Sequence, residues 1–218
     1  MLERAIPVLD LLINLSGAGE MKKLTHYASL SQMFTYPEKD LEASCDTWRK
    51  IALDYNPALT LKLDPFIKHL HEKPLAFQQE YYISTFDVQA LCFLDVGYVL
   101  FGEDYKRGNF LVHMKREQEK ACNNCGREMP DHLPNILTLI PKLQDADLAE
   151  ELVCSLVMPA IQEMISKFRS VNNFYNELLK LVVAIMKIDF PGTRFERYKF
   201  GTTGKLDLLN GQPMGCQS

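Results

Sequence analysis

Two thiols, Cys122 and Cys125 in the run CNNCG, carry the most reactive chemistry in the chain. A pair at this spacing can chelate a metal such as zinc or cycle between dithiol and disulfide. A structural zinc site needs four ligands; His132 offers a third, and the sequence nearby supplies no obvious fourth. A thioredoxin-type motif needs a strand–helix–strand setting, which the local pattern lacks. Cys122 and Cys125 therefore stand as metal or redox candidates beside a plainer reading, two thiols in a polar loop between helices.

The next candidates follow at once in MPDHLPNIL, residues 129–137. Asp131 is placed to accept from the freed amides of a helix start, where Pro134 has no amide to lose. His132 would face the positive end of that helix, which favours a neutral imidazole able to hydrogen-bond a ligand or a neighbouring helix. Upstream, Asp87, Asp95 and Arg107 interrupt an aromatic run at 81–111. Asp87 closes a helix whose dipole it does not suit, so it is read as a cap for the next one. Arg107 lies one turn after Asp104, a spacing that allows a local ion pair. Gly97 and Gly108 fall in helical patterns, where glycine is unfavourable unless another segment approaches the backbone closely. The phosphate-loop pattern fails: GTTGKL at 201–206 is short and has leucine in the hydroxyl position. Neither G-x-S-x-G nor H-E-x-x-H occurs.

The elements that must position these residues are helices. Over 146–169, Leu148, Leu152, Leu156, Ala160, Met164 and Phe168 recur every fourth residue beside a second stripe of Val153, Val157, Ile161 and Ile165. So broad a stripe predicts a central bundle helix, started by Asp145 or Asp147 and kinked or broken at Pro159. Further helices are predicted over 22–35, 39–55, 64–72 (opening at Asp64-Pro65), 75–86, 91–101, from Asp104 onward, 131–143 and 173–188. Tyr82 and Phe86, one turn apart, share a face. No run alternates as a strand does. The reading is an all-α single domain: an N-terminal extension over 1–20, a helical domain over 21–190, and an irregular tail over 191–218 that is rich in glycine.

Composition narrows the classes. The 218 residues are 47% hydrophobic, enough for a sizeable core, and the net charge of −4 argues against a nucleic-acid binder or stable docking on an anionic membrane. No apolar run reaches the roughly 18 residues of a membrane span. In AIPVLDLLINLSGAG, residues 5–19, Asp10 breaks the apolar run and Glu3 offsets Arg4, which fits an amphipathic helix better than a secretory signal. Cys92 and Cys154 read as small core residues, and a reducing cytoplasm is the expected compartment.

Five stretches together resemble the assembly chaperones of complex molybdoenzymes, of the NarJ/TorD/DmsD type, and most closely the nitrate reductase (NarJ-like) branch. They are YASLSQMFTYPEKDL (27–41), QEYYISTFDV (79–88), YVLFGEDYKRGNFLVHMK (98–115), EMPDHLPNIL (128–137) and NNFYNELLKLVVAI (172–185). The resemblance covers about 22–190; both ends are extra, TLIPKL replaces an acidic-aromatic run, and Cys122 and Cys125 are not part of the pattern. It implies a cytoplasmic, non-catalytic helical chaperone without a cofactor of its own. Its partner would be the catalytic subunit of a molybdenum-containing oxidoreductase, held by its N-terminal segment until molybdenum cofactor and iron–sulfur cluster are inserted. Some relatives also bind twin-arginine signal peptides. The peptide would lie in an aromatic groove: Tyr82, Phe86, Tyr98 and Phe101 as walls, Asp87, Asp131 and His132 at the rim, Leu133 beside them, and Arg107 fixing the lining helices. A homodimer through the N-terminal extension is also open on this reading. The rival is a metal- or thiol-responsive helical module built on Cys122 and Cys125.

Overall fold

The computed structural model describes residues 24–88, 90–168, 172–191 and 197–198. The 1–20 extension and most of the 191–218 tail lie outside these residues. Helices run through nearly all the rest: α1 (His26–Ser31), α2 (Cys45–Tyr55), α3 (Thr60–Glu72), α4 (Leu75–Phe86), α5 (Val96–Phe101), α6 (Tyr105–Lys120), α7 (Leu133–Leu139), α8 (Ala146–Glu151), α9 (Met158–Lys167) and α10 (Phe174–Asp189). Short 3₁₀ turns extend α1, α7 and the approach to α2. Among the described residues the only strand-like pairing is one antiparallel bridge, Asp95 with His132. The fold is all-α.

The doubly striped segment becomes the centre of the bundle. Asp145 caps α8 by accepting from the amides of Asp147 and Leu148. Leu152–Val157 then widens into a π-helix that is wholly buried, and α9 follows with Pro159 in its first turn. The predicted break is thus a widened turn just before the proline. Pro159 has no N–H to return to Ser155, four residues back. The Ser155 carbonyl instead accepts from Tyr198 N at 2.9 Å, which pins that residue of the tail to the bundle. Against α9 packs α10, capped by Asn173, whose inner face (Leu178, Leu181, Val182, Ile185) is fully buried.

Around this centre the first three helices wrap and are clamped by polar contacts. The Asp189 carboxylate, at the end of α10 and inaccessible to solvent, accepts from His26 at 2.8 Å, Tyr55 at 2.7 Å and Tyr27 at 3.0 Å. Burial first, and then that carboxylate, push both tyrosine hydroxyls far above their ordinary range. Trp48 is buried and donates its indole N–H to the Ser29 carbonyl. Tyr81 of α4 stacks on Phe174 of α10, centroids 4.5 Å apart.

Three local expectations need correcting. Helix α3 begins at Thr60 rather than Asp64, with Pro65 inside it. Pro65 and Leu61, whose carbonyl loses its partner, are both on the exposed face, where water can take the place of the missing amide. Residues 91–95 are not helical: Leu94 O accepts from Leu133 N and Val96 N donates to Asp131 O, so this stretch pairs across the fold before α5 starts. Asp87 starts no helix; it is the exposed residue just past Phe86 that ends α4, its amide donating to the Ile83 carbonyl.

Candidate functional site

The described residues enclose a groove of about 580 Å³ between two polar segments. One wall is the turn after α1, with Gln32, Thr35, Tyr36, Glu38, Asp40, Leu41 and Ser44; the other is the loop after α6, with Asn124, Cys125, Gly126, Arg127 and Glu128. Tyr82, His132, Pro134 and Asn135 complete the lining.

Each wall is fixed by side chains reaching across the sequence. On the first, Tyr82 O–H donates to the Phe34 carbonyl at 3.0 Å and Gln79 donates to the Pro37 carbonyl at 3.0 Å, tying the turn to α4. The Tyr36 ring stands edge-on to Tyr82, centroids 5.7 Å apart. Burial holds the Tyr82 hydroxyl protonated by pushing its pKa well up. On the second wall, the buried amide of Asn123 donates to Gln118 Oε1 at 2.6 Å, Thr138 Oγ1 at 3.0 Å and the Asn135 carbonyl at 3.1 Å. Asn135 in turn donates to the carbonyls of Met129 and Cys125, and Gln118 to that of Pro130. Loop polar groups buried here are thus paired, as burial demands.

His132 joins the groove to a charged cluster behind it. Its Nδ1–H donates to Asp95 Oδ1 at 3.0 Å, which leaves Nε2 for a further partner. The other Asp95 oxygen meets Arg107 Nη2 at 3.5 Å, and the guanidinium lies over the Tyr98 ring, 5.1 Å from its centroid. Phe93, exposed, abuts Tyr98 edge-on.

Asp131 is fully buried. Its Oδ2 accepts from the Gly97 amide at 3.0 Å, so it caps α5 rather than α7. Its Oδ1 has no hydrogen-bond partner. Burial, then the charge of Asp95, raise its carboxyl above the ordinary range, against the pull of Arg107 and the Gly97 amide. Gly97 is where backbone and carboxylate must meet: a Cβ there would lie 2.7 Å from Asp131 Oδ2 and 2.7 Å from Phe110 Cδ1. No such approach exists at Gly108, which has open space around it.

Of the residues singled out in the sequence, Tyr82 and His132 line the groove, and Tyr98 and Arg107 adjoin it through Asp95. Phe86, Phe101 and Leu133 lie in the core instead. Phe86 packs on Tyr175, Phe101 lies between Phe110 and Tyr198, and Leu133 is sealed under α7's first turn. Asp131 is interior and Asp87 stands on the open surface outside the groove. Arg107 pairs with Asp95 rather than Asp104, because Asp104 is occupied as the cap of α6. Cys122 and Cys125 are free thiols, and among the described residues no three His, Cys, Asp or Glu side chains gather as a metal set. Asp95, Tyr36, Asn123 and Asn135 join the site beyond the residues the sequence points to; their signals are the interrupted aromatic run for Asp95 and the motif stretches 27–41 and 128–137 for Tyr36 and Asn135.

Among the groove's lining residues, Glu38, Asp40 and Glu128 oppose a single guanidinium, Arg127. The cleft therefore carries net negative charge, beside the exposed Tyr36 ring. No helix of the described residues is long and apolar enough to cross a membrane.

No protein-family model matches the chain. The chain is similar to the probable nitrate reductase molybdenum cofactor assembly chaperone NarJ of Bacillus subtilis (strain 168), with 24% identity over 163 residues, 74% of this chain and 88% of that protein. The all-helical architecture agrees with this likeness to an assembly chaperone, and three of the motif segments line the groove.

Proposed function

We propose that this chain is a maturation chaperone for a nitrate-reductase-like molybdoenzyme, and that its groove receives the N-terminal segment of the catalytic subunit. It performs no chemistry of its own. It keeps that subunit competent, in the cytoplasm, for insertion of molybdenum cofactor and iron–sulfur cluster.

The observation that carries this reading is the groove itself. Tyr36 supplies exposed ring surface over the buried Tyr82, and three carboxylates and several amides surround it, so one cleft offers both halves of an amphipathic peptide a partner. The likeness to a NarJ chaperone supports the choice of client class. Ordering a flexible peptide costs about 2–5 kcal/mol, so a groove of this size favours moderate affinity and hence release once the client is complete. Co-purification tests it: the chain should retain the catalytic subunit of the organism's nitrate reductase and lose it when the subunit's N-terminal segment is deleted. Retention after deletion would place the contact elsewhere.

A further inference from the structure

The CNNC run has no part in the reading above, yet one of its thiols borders the groove. We infer that Cys122 and Cys125 form a thiol–disulfide switch that, when bridged, withdraws the Asn123 anchor and loosens the groove's second wall. This rests on the groove reading for its effect on peptide binding, but not for the bridging or the loosening.

Three observations carry it. Cys122 is exposed and sits just past the end of α6 with φ +48°, a left-handed backbone usually given to glycine or asparagine. Cys125 lines the groove, and its carbonyl holds the Asn135 side chain. Between them Asn123 points inward to Gln118, Asn135 and Thr138. No backbone hydrogen bond described for this loop closes a turn from Cys122 to Cys125. A disulfide needs the two Cα atoms within about 7 Å, the span of a closed turn. Curling 122–125 into one pulls on Asn123 and on the Cys125 carbonyl together. In the switch, the bridged loop gives up the Asn123 bonds that the anchored loop holds.

The oxidant is a small aliphatic disulfide, RSSR. The accessible Cys122, as thiolate, attacks one sulfur and releases one thiol, RSH, after protonation. Cys125, whose thiol burial holds above its ordinary pKa, then gives up its proton and attacks the Cys122 sulfur, releasing a second RSH. Two protein thiols become one disulfide, and RSSR becomes two thiols. A transient, sensing disulfide is the kind a reducing compartment permits.

The test treats the full-length protein with oxidised glutathione. Trypsin releases Ala121–Arg127 as one peptide holding both cysteines, so bridging appears as loss of two hydrogens from its mass. Hydrogen exchange should rise over 121–135 in the bridged protein and stay unchanged in Cys122→Ser. Affinity for a synthetic peptide of the client's N-terminal segment should fall about three- to tenfold, the loss of one or two hydrogen bonds. Asn123→Ala should reproduce the exchange change without oxidant. No bridge, or a bridge with unchanged exchange, overturns the switch. Binding absent in the reduced protein would instead overturn the groove reading, leaving the exchange result to decide the switch.

Discussion

Asp95 and His132, 37 residues apart, are joined twice: by an antiparallel backbone bridge and by a 3.0 Å hydrogen bond between their side chains. This pairing makes the stretch before α5 and the start of α7 one unit. It sets His132 at the groove while Asp95 also holds Arg107. Groove shape therefore depends on a charged cluster that no peptide need touch.

The first prediction concerns that joint. Asp95→Ala removes the acceptor of both His132 and Arg107 and should lower stability by about 1–2 kcal/mol, since the carboxylate is partly exposed. Asp95→Asn keeps an oxygen for His132 and should recover part of the loss. Urea unfolding of the three proteins checks this, and equal midpoints would mean the joint carries no energy.

Gly97→Ala is the second. The added methyl would press on the Asp131 carboxylate and the buried Phe110 ring. Overpacking of this kind costs about 1–3 kcal/mol. Gly108→Ala, with free space around it, should instead be neutral or mildly stabilising, as expected for alanine in a helix. Paired thermal melts compare the two.

Asp131 gives the third, a pH dependence. Its folded carboxyl holds its proton above the ordinary value of 3.8. Between that value and the raised one the folded protein binds more protons than the unfolded chain, so stability falls as pH rises through the window and levels off above it. Asp131→Asn keeps an acceptor for the Gly97 amide and does not titrate. The stability of the natural protein relative to this variant should therefore decline on going from below pH 4 toward neutrality. A difference that is constant, or grows with pH, would contradict the assignment.

Much of the fold was legible because helix periodicity is local. The stripes of 146–169 required a central helix, and Pro159 required a disturbance in it. The 91–95 segment misled for the converse reason. Leu91, Cys92 and Leu94 have apolar spacing that a helix would share, but the Leu91 and Cys92 amides turn back to the Thr85 carbonyl and the Leu94 carbonyl is taken by Leu133, pairings that local spacing does not reveal. The same limit applies to the site. Ring-rich runs do not distinguish a core ring such as Phe86 from a groove ring such as Tyr36. Polar residues between helices, Asn123 and Asn135 among them, look like solvent loops until their long-range bonds are seen. Tyr82 and His132 were legible because their types stand out locally, a ring one turn from Phe86 and a histidine at a helix start.

The most direct test is calorimetric titration of the client's N-terminal peptide into the reduced protein and two groove variants. Tyr36→Ala removes an exposed ring from one wall, and Glu38→Lys reverses a rim charge, both on the surface and away from the core. Each should weaken binding about five- to fiftyfold, about 1–2 kcal/mol, with the charge reversal losing most at low salt. Phe77→Ala, an exposed ring outside the groove lining, should bind as the natural protein does. Unchanged affinity in both groove variants, or an equal loss in Phe77→Ala, would contradict a peptide seated between these walls.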